Sequence, residues 1–238
     1  MEPSPADPSG DSTIRLWDIG EYGEVLPRLT FPITTPQGER SAVHALAHAP
    51  DPSSGGTVAE ILWSGHWNGS VNLWDAAAGS LLRTLARPHG GCAWALQPLT
   101  GQAMASAGAD GVIRLWDARQ AEKVHEWGSL GATYALASTG GSTPLLVSAG
   151  HDGEIRLWDP RMLSQTTLDP MAKLQAHRAP VRSLLVHCGA VWSGSTDGTV
   201  RSWELAQLIA NEVSPSTRQA KVLDNFIATG TTPPSFVS

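Results

Sequence analysis

SAGADGVIRLWD, residues 106–117, recurs with small changes as SAGHDGEIRLWD at 148–159, SGHWNGSVNLWD at 64–75, SGSTDGTVRSWE at 193–204 and SGDSTIRLWD at 9–18. Each stretch leads to a tryptophan, at Trp17, Trp74, Trp116, Trp158 and Trp203, with steps of 57, 42, 42 and 45 residues. A recurrence of roughly 40–45 residues that closes on Trp-Asp marks one four-stranded propeller blade per repeat. The period alone therefore predicts an all-β chain.

Inside each unit the apolar residues alternate, as in Val112, Ile113, Leu115 and Trp116 around Arg114, and β-branched residues stand beside Asp-Gly or Asn-Gly pairs. Such pairs accept positive φ and close short hairpins between alternating strands. The third unit accordingly reads as strands at 91–96, 103–107, 112–117 and 123–127, with the tryptophan on the third.

The register holds beyond the Trp-Asp pair. A serine lies ten residues before the tryptophan in four units (Ser64, Ser106, Ser148, Ser193), and Asp or Asn lies six before it in all five (Asp11, Asn68, Asp110, Asp152, Asp197). His89 and His177 precede the first strand of two units. This pattern resembles the WD-repeat family, in which His, turn Asp, Ser and the indole N–H form a hydrogen-bonded tetrad. The chemistry makes sense without the family: a buried indole N–H and a buried hydroxyl each need a partner, and a carboxylate in a tight turn can orient a histidine proton. Two complete structural tetrads are expected, Trp116–Ser106–Asp110–His89 and Trp203–Ser193–Asp197–His177. Glu39 and Ser129 stand where the other two units would carry histidine, so those blades are expected to be held more loosely.

The resemblance covers residues 9–205 as two strands, three full blades and a last blade with three clear strands. Residues 1–8 read as a disordered start and 206–238 as a mostly irregular tail, with AQLIANEV able to begin a short helix and KVLDNFIATG able to add at most one strand. About four to five blades make a partial propeller, since rings usually need four to eight with their edges closed. We expect a chain shortened at its N-terminus and prone to self-association through open blade edges.

Composition narrows the function. The chain has 238 residues, 41% of them apolar, and a net charge of −6 with no lysine-rich run, so the general attraction to nucleic acid is absent. Its two cysteines, Cys92 and Cys188, have no companions at zinc-finger spacing, which gives no metal site and no disulfide framework. No apolar run has the length of a membrane span or of a signal peptide, and the expected location is the cytosol or nucleus. There is no phosphate-cradling loop, dinucleotide fingerprint or nucleophile elbow, and no cofactor is expected. Ser, His and Asp do converge, but once per blade, whereas an active site occurs once; the expected protein is not an enzyme.

The resemblance further implies that partners meet the face holding the loops before the first strand and the turns between the second and third. By register its larger side chains are His44, Trp67, Trp94, Tyr134, His151 and Arg182, accompanied by Ala42, Cys92, Ala109, Ala132, Pro180 and Thr196. Trp, Tyr and Arg dominate binding hot spots because they bury much area with few rotors and keep a polar handle. The expected role is a non-catalytic scaffold that captures a protein or peptide. The alternative is an accessory propeller of a larger enzyme, because residues 176–205 also resemble propellers attached to plant inositol-polyphosphate phosphatases.

Overall fold

The computed structural model describes residues 13–19, 25–32, 41–50, 60–85, 87–100, 103–117, 121–128, 131–162 and 170–210. They form five antiparallel sheets in chain order, each a simple meander. The first pairs β1 (Thr13–Ile19) with β2 (Val25–Pro32). The second holds β3 (Val43–Pro50), β4 (Glu60–His66), β5 (Val71–Asp75) and β6 (Ser80–Leu85). The third holds β7 (Ala93–Thr100), β8 (Ala103–Gly108), β9 (Val112–Asp117) and β10 (Glu122–Gly128). The fourth holds β11 (Thr133–Ser138), β12 (Leu146–Gly150), β13 (Glu154–Trp158) and β14 (Ala172–Gln175). The fifth has β15 (Val181–His187), β16 (Ala190–Ser195) and β17 (Val200–Glu204), followed by helix α1 (Leu205–Ile209). The innermost strands β3, β7, β11 and β15 pack successively. This is a partial β-propeller, and among the described residues its last sheet is not joined to its first.

The Asx-Gly pairs shape one turn four times. Asn68, Asp110, Asp152 and Asp197 each accept the backbone N–H two residues ahead at 3.0–3.2 Å, from Ser70, Val112, Glu154 and Thr199. The intervening glycines take φ between +70° and +81°, a region any Cβ disfavours.

Cores lie between blades. Val71 and Leu73 share an apolar cluster with Leu96 and Trp116, Ile113 and Leu115 share one with Leu136 and Trp158, and Ile155 and Leu157 pack with Val181 and Val191. The third and fourth sheets are packed on both faces by their neighbours, and the third strand of each, β9 and β13, is mostly buried. The short helix expected near 206 is α1, which plants Leu208 in the last of these clusters. Expectations for residues 1–8, Asp11, Glu39, Ser129 and 211–238 lie outside the described residues.

Candidate functional site

Each inner strand begins with the same irregularity. The pairing with the second strand slips at 43/45, 93/95, 133/135 and 181/183, leaving His44, Trp94, Tyr134 and Arg182 as the extra residue of a bulge. A bulge turns its side chain out of the strict in-and-out alternation. All four are thereby placed at the end of the sheets that carries the turns between second and third strands. Those turns are clamped onto the inner strand by one repeated hydrogen bond, from the N–H of Trp67, Ala109, His151 and Thr196 to the carbonyls of Ala42, Cys92, Ala132 and Pro180 at 2.9–3.0 Å.

The bulged side chains meet across blades. His44 lies 5.4 Å from Trp67 and 4.8 Å from Trp94 between ring centroids, Trp67 and Trp94 are 6.0 Å apart edge to face, and Trp94 meets Tyr134 at 5.8 Å. The Arg182 guanidinium carbon stands 4.0 Å over the Tyr134 ring, within cation–π reach. Five side chains from four consecutive sheets thus form one continuous rim. Trp67 is 60% exposed, Arg182 is exposed, and His44, Trp94 and Tyr134 are half-buried. The Trp94 indole N–H has no hydrogen-bond partner among the described residues. His151 is exposed but makes no ring contact with this rim among them. Cys92, expected at the exposed register, is instead 5% exposed, and burial pushes its thiol up to about 12, which makes it a poor nucleophile.

Beneath the rim lie the buried hydrogen-bond chains. In the third sheet Trp116 donates its indole N–H to Ser106 Oγ at 2.9 Å, and Ser106 meets His89 Nε2 at 2.8 Å. Asp110 lies 3.0 Å from His89 Nδ1. A carboxylate only accepts, so the tautomer with its proton on Nδ1 donates to Asp110 and lets Nε2 accept from the hydroxyl, while Arg114 Nη1 stands 2.9 Å from the same Nδ1 and bonds Asp110. Burial alone would raise Asp110, but the His89 and Arg114 hydrogen bonds outweigh it and hold the carboxyl far below its ordinary value. In the fifth sheet His177 meets Asp197 at 3.0 Å and Ser193 at 2.8 Å, while Trp203 donates to Ser193 at a longer 3.4 Å. Asp197 is likewise held low against the effect of burial, by Thr199 first and His177 next.

The two sheets without a loop histidine keep the indole–serine bond. Trp74 and Trp158 donate to Ser64 and Ser148 at 2.8 Å and are 3% and 2% exposed. In the second sheet the histidine comes from inside the blade: His66, fully buried, places Nε2 2.8 Å from Ser64 Oγ. Burial lowers it to about 4. Its place two residues after the serine is glycine in the third sheet, where a Cβ on Gly108 would stand 2.8 Å from His89 Nδ1. Glycine there makes room for a loop histidine; in the second sheet that room is taken by a strand histidine. SGH in place of SAG was the readable signal. In the fourth sheet Asp152 pairs instead with Arg156, which is 5% exposed and also bonds Glu154 at 2.8 Å.

Unequal damage should follow from similar-looking changes at the turns. Asp197 receives His177, both the N–H and hydroxyl of Thr199, and the Arg178 N–H, whereas among the described residues Asn68 Oδ1 receives the N–H and hydroxyl of Ser70. Asp197→Ala should cost about 1–3 kcal/mol and Asn68→Ala distinctly less, because the former strands a buried histidine. Urea midpoints of the two variants check this, and equal losses would contradict it.

The serines of the Ser-His-Asp sets are tied to indoles within the sheets, not turned toward a cleft. Among the described residues no three His, Cys, Asp or Glu side chains stand close enough to hold a metal ion, and no helix is long and apolar enough to cross a membrane. The arrangement offers aromatic faces, one cation and buried polar support, which suits recognition.

Comparison with known proteins agrees with the geometry. The family model described as IP5P C-F beta-propeller matches residues 102–223, and that described as WD domain, G-beta repeat matches 79–117. No curated protein matches the chain. Among solved structures, the computationally designed Ika8 protein is 27% identical over 82% of this chain and 53% of its own, with a TM-score of 0.61. The WD40 repeats of RRP9 are 21% identical over 72% of this chain and 50% of their own, at 0.62. A humanized mutant of the Chaetomium thermophilum Polycomb Repressive Complex 2 gives 20% identity over 82% of this chain and 45% of that one, at 0.67. The last two show the fold alone. The chain spans about half the length of the first solved structures it matches.

Proposed function

The chain belongs to the IP5P C-F beta-propeller family and also matches a WD repeat over residues 79–117, and on that premise we propose that it is a non-catalytic binding platform whose rim captures a protein or peptide. The observation that carries this reading is the continuous row Trp67–His44–Trp94–Tyr134–Arg182, drawn from four sheets by four equivalent bulges. None of these five side chains belongs to the apolar clusters that join the blades. Large rings that are half-exposed and already ordered bury area on binding with little loss of rotor freedom. In this reading the protein needs no cofactor, contacts neither nucleic acid nor a bilayer, and works in the cytosol or nucleus.

The test uses an immobilised peptide array probed with the 238-residue protein, followed by titration of a retained peptide. Trp94→Ala and Arg182→Ala should each weaken binding by about 2 kcal/mol or more, about 30-fold in Kd, with the melting temperature nearly unchanged. Arg161→Ala, at the opposite end of the sheets and only 2.7 Å from Asp159, should bind like the parent. Parental binding by both rim variants and its loss in Arg161→Ala would place the partner on the other side.

The match over 102–223 supports a second reading: the same platform serving in cis as the accessory propeller of an inositol-polyphosphate phosphatase-like enzyme. Sequencing the full transcript separates the two, since that reading requires a phosphatase domain in the same open frame.

A further inference from the structure

One contact is repeated at four blade junctions. The aliphatic residue three before a blade tryptophan shares an apolar cluster with the tryptophan of the next sheet: Ile14 with Trp74, Val71 with Trp116, Ile113 with Trp158, Ile155 with Trp203. Those four aliphatic residues are 6%, 0%, 0% and 0% exposed. The fifth in the register, Val200, is 47% exposed. At the other end Trp17 is 45% exposed, against 3%, 5% and 2% for Trp74, Trp116 and Trp158. The inner strands repeat the asymmetry. Leu185 is 58% exposed where its register equivalents Ala47 and Ala137 are 8% and 6%, and Leu46 is 52% exposed where Leu96 and Leu136 are 9%.

Among the described residues the last sheet therefore presents the receiving half of a junction and the first sheets present the inserting half, both exposed. We propose that these halves join between two copies of the chain, Val200 and Leu185 of one protomer receiving the Trp17 side of its partner. The occupant is a second copy because the two surfaces match in kind: the chain itself makes this pairing four times. The contact is head to tail and lies on sheet faces, separate from the aromatic rim. Such a heterologous interface uses different surfaces on the two partners.

That property supplies the experiment. Sedimentation velocity of the 238-residue protein over a hundredfold range of concentration should show reversible association. Trp17→Asp and Val200→Asp should each weaken it at least tenfold, with far-UV circular dichroism unchanged. Mixing the two variants in equal amounts should restore dimers and stop there, since each variant retains one intact half and the pair has only one usable junction. Where an aspartate variant loses its circular dichroism, Trp17→Ala and Val200→Ser take its place. Trp94→Ala should associate like the parent. A parent that remains monomeric, single variants that associate as strongly as the parent, or a mixture that stays monomeric each overturns the proposal.

Discussion

Trp116→Ala should lower the unfolding free energy by about 3–5 kcal/mol, the range for removing a buried large aromatic side chain. Trp116 is 5% exposed, packs with Val71, Leu73 and Met104, and is the donor that holds Ser106 in its chain to His89 and Asp110. Truncation opens a cavity between the second and third sheets and leaves the serine short of one partner. Trp67→Ala, removing a 60% exposed ring, should shift stability by well under about 1 kcal/mol. Urea denaturation followed by circular dichroism compares the midpoints. A rim variant as damaging as the blade variant would mean that the rim is part of the core.

His66 should make the protein sensitive to mild acid. Its value falls from 6.5 to about 4 in the fold, because burial disfavours the charged ring. The unfolded chain then takes up the proton first, so this contribution to stability is fully present above pH 6.5 and declines as the pH falls toward 4. The loss amounts to roughly 3 kcal/mol at about 1.4 kcal/mol per unit. Asp110 and Asp197 are held low, so their contributions persist until the pH drops below about 3.9, their ordinary range, and the windows separate. His66→Gln, which keeps an uncharged hydrogen-bonding group near Ser64, should flatten the slope between pH 6.5 and 4 while leaving the steeper fall at lower pH. Identical slopes in the two proteins would contradict the assignment.

The blade architecture was legible because its signals are local. Asp110-Gly111 dictates a turn, Ile113 and Trp116 mark a buried strand, and the serine ten residues upstream of four of the five blade tryptophans accepts the indole N–H. The rim positions, and the approach of Trp67, Trp94, Tyr134 and Arg182 from successive blades toward one rim, were expected by register, but which rings touch was not. Whether Trp94 reaches both His44 and Tyr134 depends on bulges at 43/45, 93/95 and 133/135, and a one-residue slip in pairing leaves no mark in composition. His151 shows the limit: it sits in the same turn register as Trp67 but makes no ring contact with the rim among the described residues. The substitution of loop histidine by His66 escaped the pattern for a related reason. The same hydroxyl was reached from a different strand position, and a template fixed on the loop before the first strand does not look there.

Binding at one end of the propeller and not the other should be visible in hydrogen exchange of the protein with and without a captured peptide. Exchange should slow at 42–44, 66–69, 92–94, 132–134 and 180–182, where the bulges and clamped turns form the rim, with no change at 75–80 or 159–162 on the opposite end. Protection confined to 75–80 and 159–162, with the rim amides unaffected, would contradict it.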